Sequence, residues 1–165
     1  MSPKSLVDAL KEVAHSDHSI LSAAEHKSPY ETGARREQGQ AALVLRPASN
    51  EEMSAMVAIC VQSDIEVVPQ SANTGVVWGS TPDATGNQVL LSLDRMSQLF
   101  ELDLVNRSVR VGAGVRLSEL NAKLEQYGLF FPIDLGADPM IGGMISTNTG
   151  GSRFMRYGDV RANTL

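Results

Sequence analysis

Ile141-Gly142-Gly143-Met144-Ile145-Ser146-Thr147-Asn148-Thr149-Gly150-Gly151 sets two glycine pairs around small hydroxyl and amide side chains. A backbone so little obstructed by side chains can close tightly on an anionic or flat ligand. Upstream, Pro69-Gln70-Ser71-Ala72-Asn73-Thr74-Gly75-Val76-Val77-Trp78-Gly79-Ser80 again places Gly, Asn, Thr and Ser directly after an apolar, strand-like run. Peptide N–H groups in such a turn converge into an anion-binding concavity. Either loop alone reads equally well as a turn. Two of them in one short chain point to a cofactor clamp.

Periodicity supplies the elements around these loops. Leu6, Val7, Leu10 and Val13 recur at helical spacing and predict a leading helix, whereas Ala14 to Gln40 has no period and reads as a loop-rich arm. Ala41 to Leu45 is a short apolar strand. Ser49 and Glu52 have the spacing of a capping box, and Met53, Met56, Val57 and Cys60 form one apolar helical stripe. Ile65 to Val68 reads as a buried strand that delivers the chain to the first glycine loop, and Val89 to Leu93 as a third strand. Phe100 to Val105 and Ser108 to Val111, joined through Asn106-Arg107, predict an antiparallel hairpin, so the architecture changes near Asp94. Leu117, Leu120, Leu124 and Tyr127 predict a helix stopped by Gly128, and Phe130-Phe131-Pro132 leads to the second glycine loop. The expected class is α+β: a small parallel β-α-β layer followed by the start of a mostly antiparallel sheet.

With 165 residues and a formal charge of -5, the chain has the length of one domain and no electrostatic footprint for nucleic acid or an anionic membrane surface. A phosphate bound here is therefore held mostly by backbone dipoles. The lone Cys60 excludes an internal disulfide framework, and no apolar run reaches the ~20 residues of a membrane span. Met1-Ser2-Pro3-Lys4-Ser5 runs into Asp8, Lys11 and Glu12, which is wrong for a secretion signal. The expected setting is cytoplasmic and reduced.

Other candidate motifs have plainer readings. Gly112-Ala113-Gly114-Val115-Arg116-Leu117 begins like a dinucleotide fingerprint, but Leu117 stands in place of its third glycine, and a tight strand-to-helix turn explains it better. Gly75 to Ser80 lacks the lysine of a triphosphate-binding loop. His15, His18 and His26 lie in the polar arm without the Cys or carboxylate cluster of a metal shell. Cys60, on an apolar stripe without a basic neighbour, reads as core filler. Trp78 either packs under the first loop or stacks on a ligand ring, packing being the commoner use.

A longer series of segments occurs in order. It comprises Leu45-Arg46-Pro47 with Ser49 and Glu52, Val68-Pro69-Gln70 through Asn73-Thr74-Gly75 to Gly79-Ser80, and Leu91-Ser92-Leu93-Asp94-Arg95-Met96. Gly112-Ala113-Gly114-Val115, Pro132-Ile133-Asp134-Leu135-Gly136-Ala137, Ile141-Gly142-Gly143 with Thr147-Asn148-Thr149-Gly150-Gly151, and Arg156-Tyr157-Gly158 follow. From about Ala41 to Leu165 this series resembles the flavin-binding domain of FAD-linked oxidases of the vanillyl-alcohol oxidase and para-cresol methylhydroxylase (PCMH) type, in the branch of D-lactate, D-2-hydroxyglutarate and glycolate dehydrogenases.

The resemblance implies residues 41–165 as part of an FAD-binding domain, with residues 1–40 as a helix and arm before it. Pro69, Gln70, Ser71, Ala72, Asn73, Thr74, Gly75, Gly79 and Ser80 would hold the diphosphate of FAD. Gly142, Gly143, Thr147, Asn148, Gly150 and Gly151 would run past the ribityl chain and isoalloxazine, with Pro132, Asp134, Tyr157 and Gly158 as further cofactor residues. N–H groups from Ser71 to Gly75, joined by the Asn73, Thr74 and Ser80 side chains, are the expected phosphate donors. Members usually carry a glycine pair where this chain has Ser71-Ala72, and glycine where it has Trp78. Members that tether flavin use a histidine in or near this loop, with or without a cysteine; Gln70 and Ser71 occupy that stretch, which implies noncovalent FAD. The implied parent reaction is oxidation of a D-2-hydroxy acid to a 2-keto acid with hydride passing to flavin N5. The groups that orient substrate belong to parts beyond Leu165, so the chain reads as an amino-terminal piece, inactive alone and prone to self-association. A short assembly module and an inactive remnant are the competing readings.

Overall fold

A computed structural model describes residues 3–165, so Met1 and Ser2 of the amino-terminal stretch lie outside the described residues. The chain divides into two compact units, one ending at Arg95 and one running from Met96 to Leu165. The division falls where the sequence predicts a change of architecture.

In the first unit β1 (Ile20–Leu21), β2 (Ala41–Leu45), β3 (Val67–Gln70) and β4 (Gln88–Ser92) form one sheet in the order β1-β2-β4-β3. β4 runs parallel to both neighbours, with Leu90 opposite Val44 and Val68, while β1 is antiparallel to β2. β4 fills the gap between the two strands of the predicted β-α-β unit. Leu43, Leu45, Val89 and Leu91 face Met56 and Cys60 of α3 (Asn50–Gln62) and Leu6 and Leu10 of α1 (Pro3–Val13). Ala41, Val44 and Leu90 meet Leu21, Tyr30 and Val68 in a second cluster. Strands covered on both faces have no polar alternation to show, which is why β2 and β4 read as unbroken apolar runs. β3 begins two residues later than expected and carries Pro69 on a sheet edge, where its missing N–H breaks no ladder.

The expected loop-rich arm is largely structured: it contains a 3-10 turn at Asp17–Ser19, β1, and α2 (Ala24–Glu31). Periodicity misses α2 because Ala-Glu-His-Lys-Ser-Pro-Tyr-Glu has no apolar stripe. Polar anchors hold it instead. Lys27 Nζ donates to the Ala41 carbonyl, and Glu31 accepts from the Ala41 N–H at 2.8 Å. The α3 cap also differs from expectation. Ser49 Oγ accepts from the Glu52 N–H at 3.2 Å, but the Glu52 carboxylate accepts from Ala48 N at 2.7 Å and His15 N at 2.8 Å rather than from the cap residue.

The second unit opens with the hairpin of β5 (Phe100–Asp103) and β6 (Ser108–Val111). Its turn is built by Asp103, which accepts from Val105 N, Asn106 N and Asn106 Nδ2, with Arg107 left-handed at φ 52°. Gly112 then packs so closely that a Cβ would strike the Met96 carbonyl, so the Gly112–Gly114 segment is a tight turn, as expected. α4 (Leu117–Glu125) ends before Gly128, whose φ of 67° supplies the left-handed stop. Leu117, Leu120 and Leu124 pack with Val115, Ile133, Met144 and Val160.

Candidate flavin-binding loops

The first glycine loop leaves β3 at Gln70 and is fastened to the end of α2. Gln70 is buried, and its Nε2 donates to the carbonyls of Tyr30 at 2.8 Å and Ser80 at 2.7 Å. Asn73, left-handed at φ 53°, sends Nδ2 to the Thr32 carbonyl at 2.8 Å, and its Oδ1 accepts from Ser80 Oγ at 2.9 Å. Tyr30 is itself held, donating to Asp94 Oδ2 at 2.8 Å, and Asp94 is paired with Arg46 at 2.9 Å. Burial and the hydrogen bond to Asp94 push the Tyr30 phenol up to about 12.

These struts revise the donor set expected from sequence. The Asn73 and Ser80 side chains are spent on the loop's own shape. Among the described residues, the buried hydroxyls without a partner are Ser71 Oγ and, one residue beyond the expected loop, Thr81 Oγ1. A buried hydroxyl without a partner is costly in a finished fold. Gly75 and Gly79 add a second observation, since a Cβ at either would meet nothing within 4 Å. No residue from Pro69 to Thr81 is charged. Free hydroxyls, peptide dipoles and unobstructed backbone fit an anionic diphosphate held without lysine or arginine. Trp78 does not pack under the loop: it is 61% exposed, with φ at 65°.

Most of the second glycine loop is helical. α5 (Ile141–Thr147) takes in Gly142 and Gly143, whose place in a helix the loop reading did not anticipate. The Ile141 and Gly142 N–H groups donate to Val115 O and Ala113 O. Thr147 Oγ1 turns back to the Gly143 carbonyl at 2.9 Å, and Asn148 ends the helix in the left-handed region at φ 50°. Asn148 Nδ2 donates to Asp159 at 2.9 Å, while Arg161 donates to the Ile145 and Ser146 carbonyls at 3.0 and 2.8 Å. Arg161 thus satisfies helix-end carbonyls, a role sequence spacing did not suggest.

Beyond α5, Gly151 lies against Asp134 and Gly150 faces the Phe154 ring. A Cβ on Gly151, at φ 120°, would sit 2.6 Å from the Asp134 carbonyl oxygen. Asp134 Oδ2 accepts from Ser152 Oγ at 2.7 Å, and half-buried Pro132 precedes it in an irregular stretch. Tyr157, in α6 (Phe154–Tyr157), meets the Phe130 ring edge-on at 5.8 Å, and Gly158 ends that helix at φ 78°.

Among the described residues, no group of three or more His, Cys, Asp and Glu side chains is placed to hold a metal ion. Cys60 is fully buried, and burial raises its thiol pKa, as suits core filler.

A family model described as "FAD binding domain" matches residues 41–165. The chain belongs to this family. FAD is the cofactor of the family, and the mixed parallel and antiparallel architecture described above is the PCMH-type fold. A mitochondrial D-2-hydroxyglutarate dehydrogenase of Danio rerio is 38% identical over 130 residues, 78% of this chain and 24% of that protein. One of Rattus norvegicus is 37% identical over 133 residues, covering 79% of this chain and 24% of the relative. The chain thus spans about a quarter of the length of the curated relatives it matches. Among solved structures, alkyldihydroxyacetonephosphate synthase superposes with a TM-score of 0.86 over 98% of this chain and 32% of its own, at 18% identity, which shows a shared fold. No described helix is long and apolar enough to cross a membrane.

Proposed function

We propose that this chain is the cofactor-holding part of an FAD-dependent dehydrogenase that oxidises a D-2-hydroxy acid, and that it binds FAD noncovalently, with the first glycine loop holding the diphosphate. The observation that carries this reading is the first loop, where Ser71 and Thr81 keep buried hydroxyls unpartnered while every strut around them is satisfied. The relatives' named activity on D-2-hydroxyglutarate supports the substrate class. Bound flavin would accept the hydride that leaves the hydroxy acid. The chain's own part is to hold the diphosphate on Ser71, Thr81 and the peptide groups between them, and to keep the loop in register through Gln70 and Asn73. With Gln70 spent on two carbonyls and no histidine between Pro69 and Thr81, no side chain in this loop is suited to tether flavin. The cytoplasmic setting expected from the residues finds no support in the Danio rerio and Rattus norvegicus relatives, which are mitochondrial by name.

The test pairs equilibrium dialysis against FAD with acid precipitation. Flavin should be retained at tens of micromolar protein and pass wholly into the acid supernatant; flavin left in the precipitate would refute noncovalent binding. Ser71→Ala should weaken FAD retention roughly 10- to 100-fold, the value of a hydrogen bond to a charged group, while its melting midpoint stays the same or rises because an unsatisfied hydroxyl is gone. Equal retention by the variant would remove Ser71 from the site.

A further inference from the structure

We propose that Trp78 is a stacking platform for a flat heteroaromatic ring of the dinucleotide bound at the first glycine loop, an inference that rests on the FAD-binding reading above. A bulky residue in the left-handed region is an outlier, and Trp78 holds φ 65° at a position where the family resemblance calls for glycine. Buried packing does not compensate: the side chain is 61% exposed, beside Val77 at 83%. Strain kept at an exposed aromatic is the kind of outlier from which a ligand contact is inferred. The surroundings identify the ligand. The Thr81 N–H donates to the Trp78 carbonyl at 3.1 Å, so the indole and the unpartnered Thr81 hydroxyl belong to one turn. The adjoining Gly79 leaves open space. Hydroxyl and peptide groups suit a phosphate, and an indole beside them suits the ring of the same ligand. Adenine and isoalloxazine share that chemistry, and the experiment separates them.

Trp78 is the single tryptophan of the chain, so its fluorescence reports this one position. Acrylamide quenching of the full chain should fall when FAD is added. Protection by ADP alone identifies adenine as the stacked ring, and protection by FMN alone identifies isoalloxazine. Equilibrium dialysis then compares variants: Trp78→Phe should retain FAD like the parent, and Trp78→Leu and Trp78→Gly should retain it roughly 5- to 100-fold less well, the range of a lost ring-on-aromatic stack. Glycine relaxes the left-handed backbone, so Trp78→Gly should melt no lower than the parent, which rules out unfolding as the cause. If Trp78→Gly holds FAD as tightly as the parent, or if FAD leaves acrylamide quenching unchanged, the stacking role is overturned and FAD binding stands. If the parent chain retains no FAD, both readings fall together.

Discussion

Gly151 and Gly79 lack a side chain for different reasons, and the difference can be measured. At Gly151 the backbone is left-handed and the Asp134 carbonyl occupies the space a Cβ would need. Gly151→Ala should therefore destabilise the fold by about 1–3 kcal/mol in denaturant unfolding, whatever its effect on ligand. At Gly79 the same Cβ meets nothing within 4 Å. Gly79→Ala should leave stability unchanged or raise it by about 0.4–1 kcal/mol, since it narrows the unfolded ensemble, yet reduce FAD retention. A Gly79→Ala chain that binds FAD normally would make that glycine an ordinary turn residue.

Among the elements, α3 depends on an acidic side chain that is not on its surface. Burial by itself would raise the Glu52 carboxyl, but the hydrogen bonds it accepts from the Ser19 hydroxyl and the Ala48 and His15 N–H groups outweigh burial and hold it below the ordinary carboxylate value of 4.5. A carboxylate depressed in the folded state stabilises above its unfolded pKa, and that contribution is lost as pH falls through the folded value. Stability should therefore be flat from neutrality to about pH 5 and decline below it. Glu52→Gln should cost roughly 1–3 kcal/mol at neutral pH and flatten the acid limb, because the charge that accepted three hydrogen bonds is gone. Denaturant melts of both proteins between pH 3 and pH 7, taken as an order-of-magnitude comparison, check this; parallel pH curves would mean that Glu52 acts only by filling space.

At the scale of the molecule, the second unit leaves large apolar side chains uncovered at its hairpin tip. β5 and β6 form a two-stranded sheet, each strand with one unpaired edge, and the turn between them leaves Leu104 54% and Val105 92% exposed. Phe154 and Met155 are exposed as well. Unpaired strand edges and uncovered apolar side chains recruit other chains. Light scattering should give a mass above the 17.7 kDa of one chain that rises with concentration, and Val105→Lys should bring it back toward the monomer. A single 17.7 kDa species at every concentration would contradict that expectation.

The parallel layer and the hairpin were legible in the residues as apolar runs and alternation imposed by burial, the helix stop at Gly128 as a left-handed glycine, and the family only as a resemblance carried by the ordered series of motifs. α2 was not, since Lys27 and Glu31 hold it rather than an apolar stripe. The helical turn through Gly142 and Gly143 was hidden by their composition, as two adjacent glycines carry no period. The polar loop residues divide in the same way. Gln70, Ser71, Asn73 and Ser80 look alike in sequence, as hydroxyl and amide groups flanking the Gly75 to Gly79 stretch. Gln70 and Asn73 find carbonyls 40 and 41 residues away, on Tyr30 and Thr32, while the Ser71 hydroxyl finds none. The sequence by itself determined that a backbone-lined, uncharged loop follows β3. Only the tertiary structure decided which of its polar groups serve the fold and which are left for a ligand, because a hydrogen-bond partner distant in the chain leaves no local periodic signal.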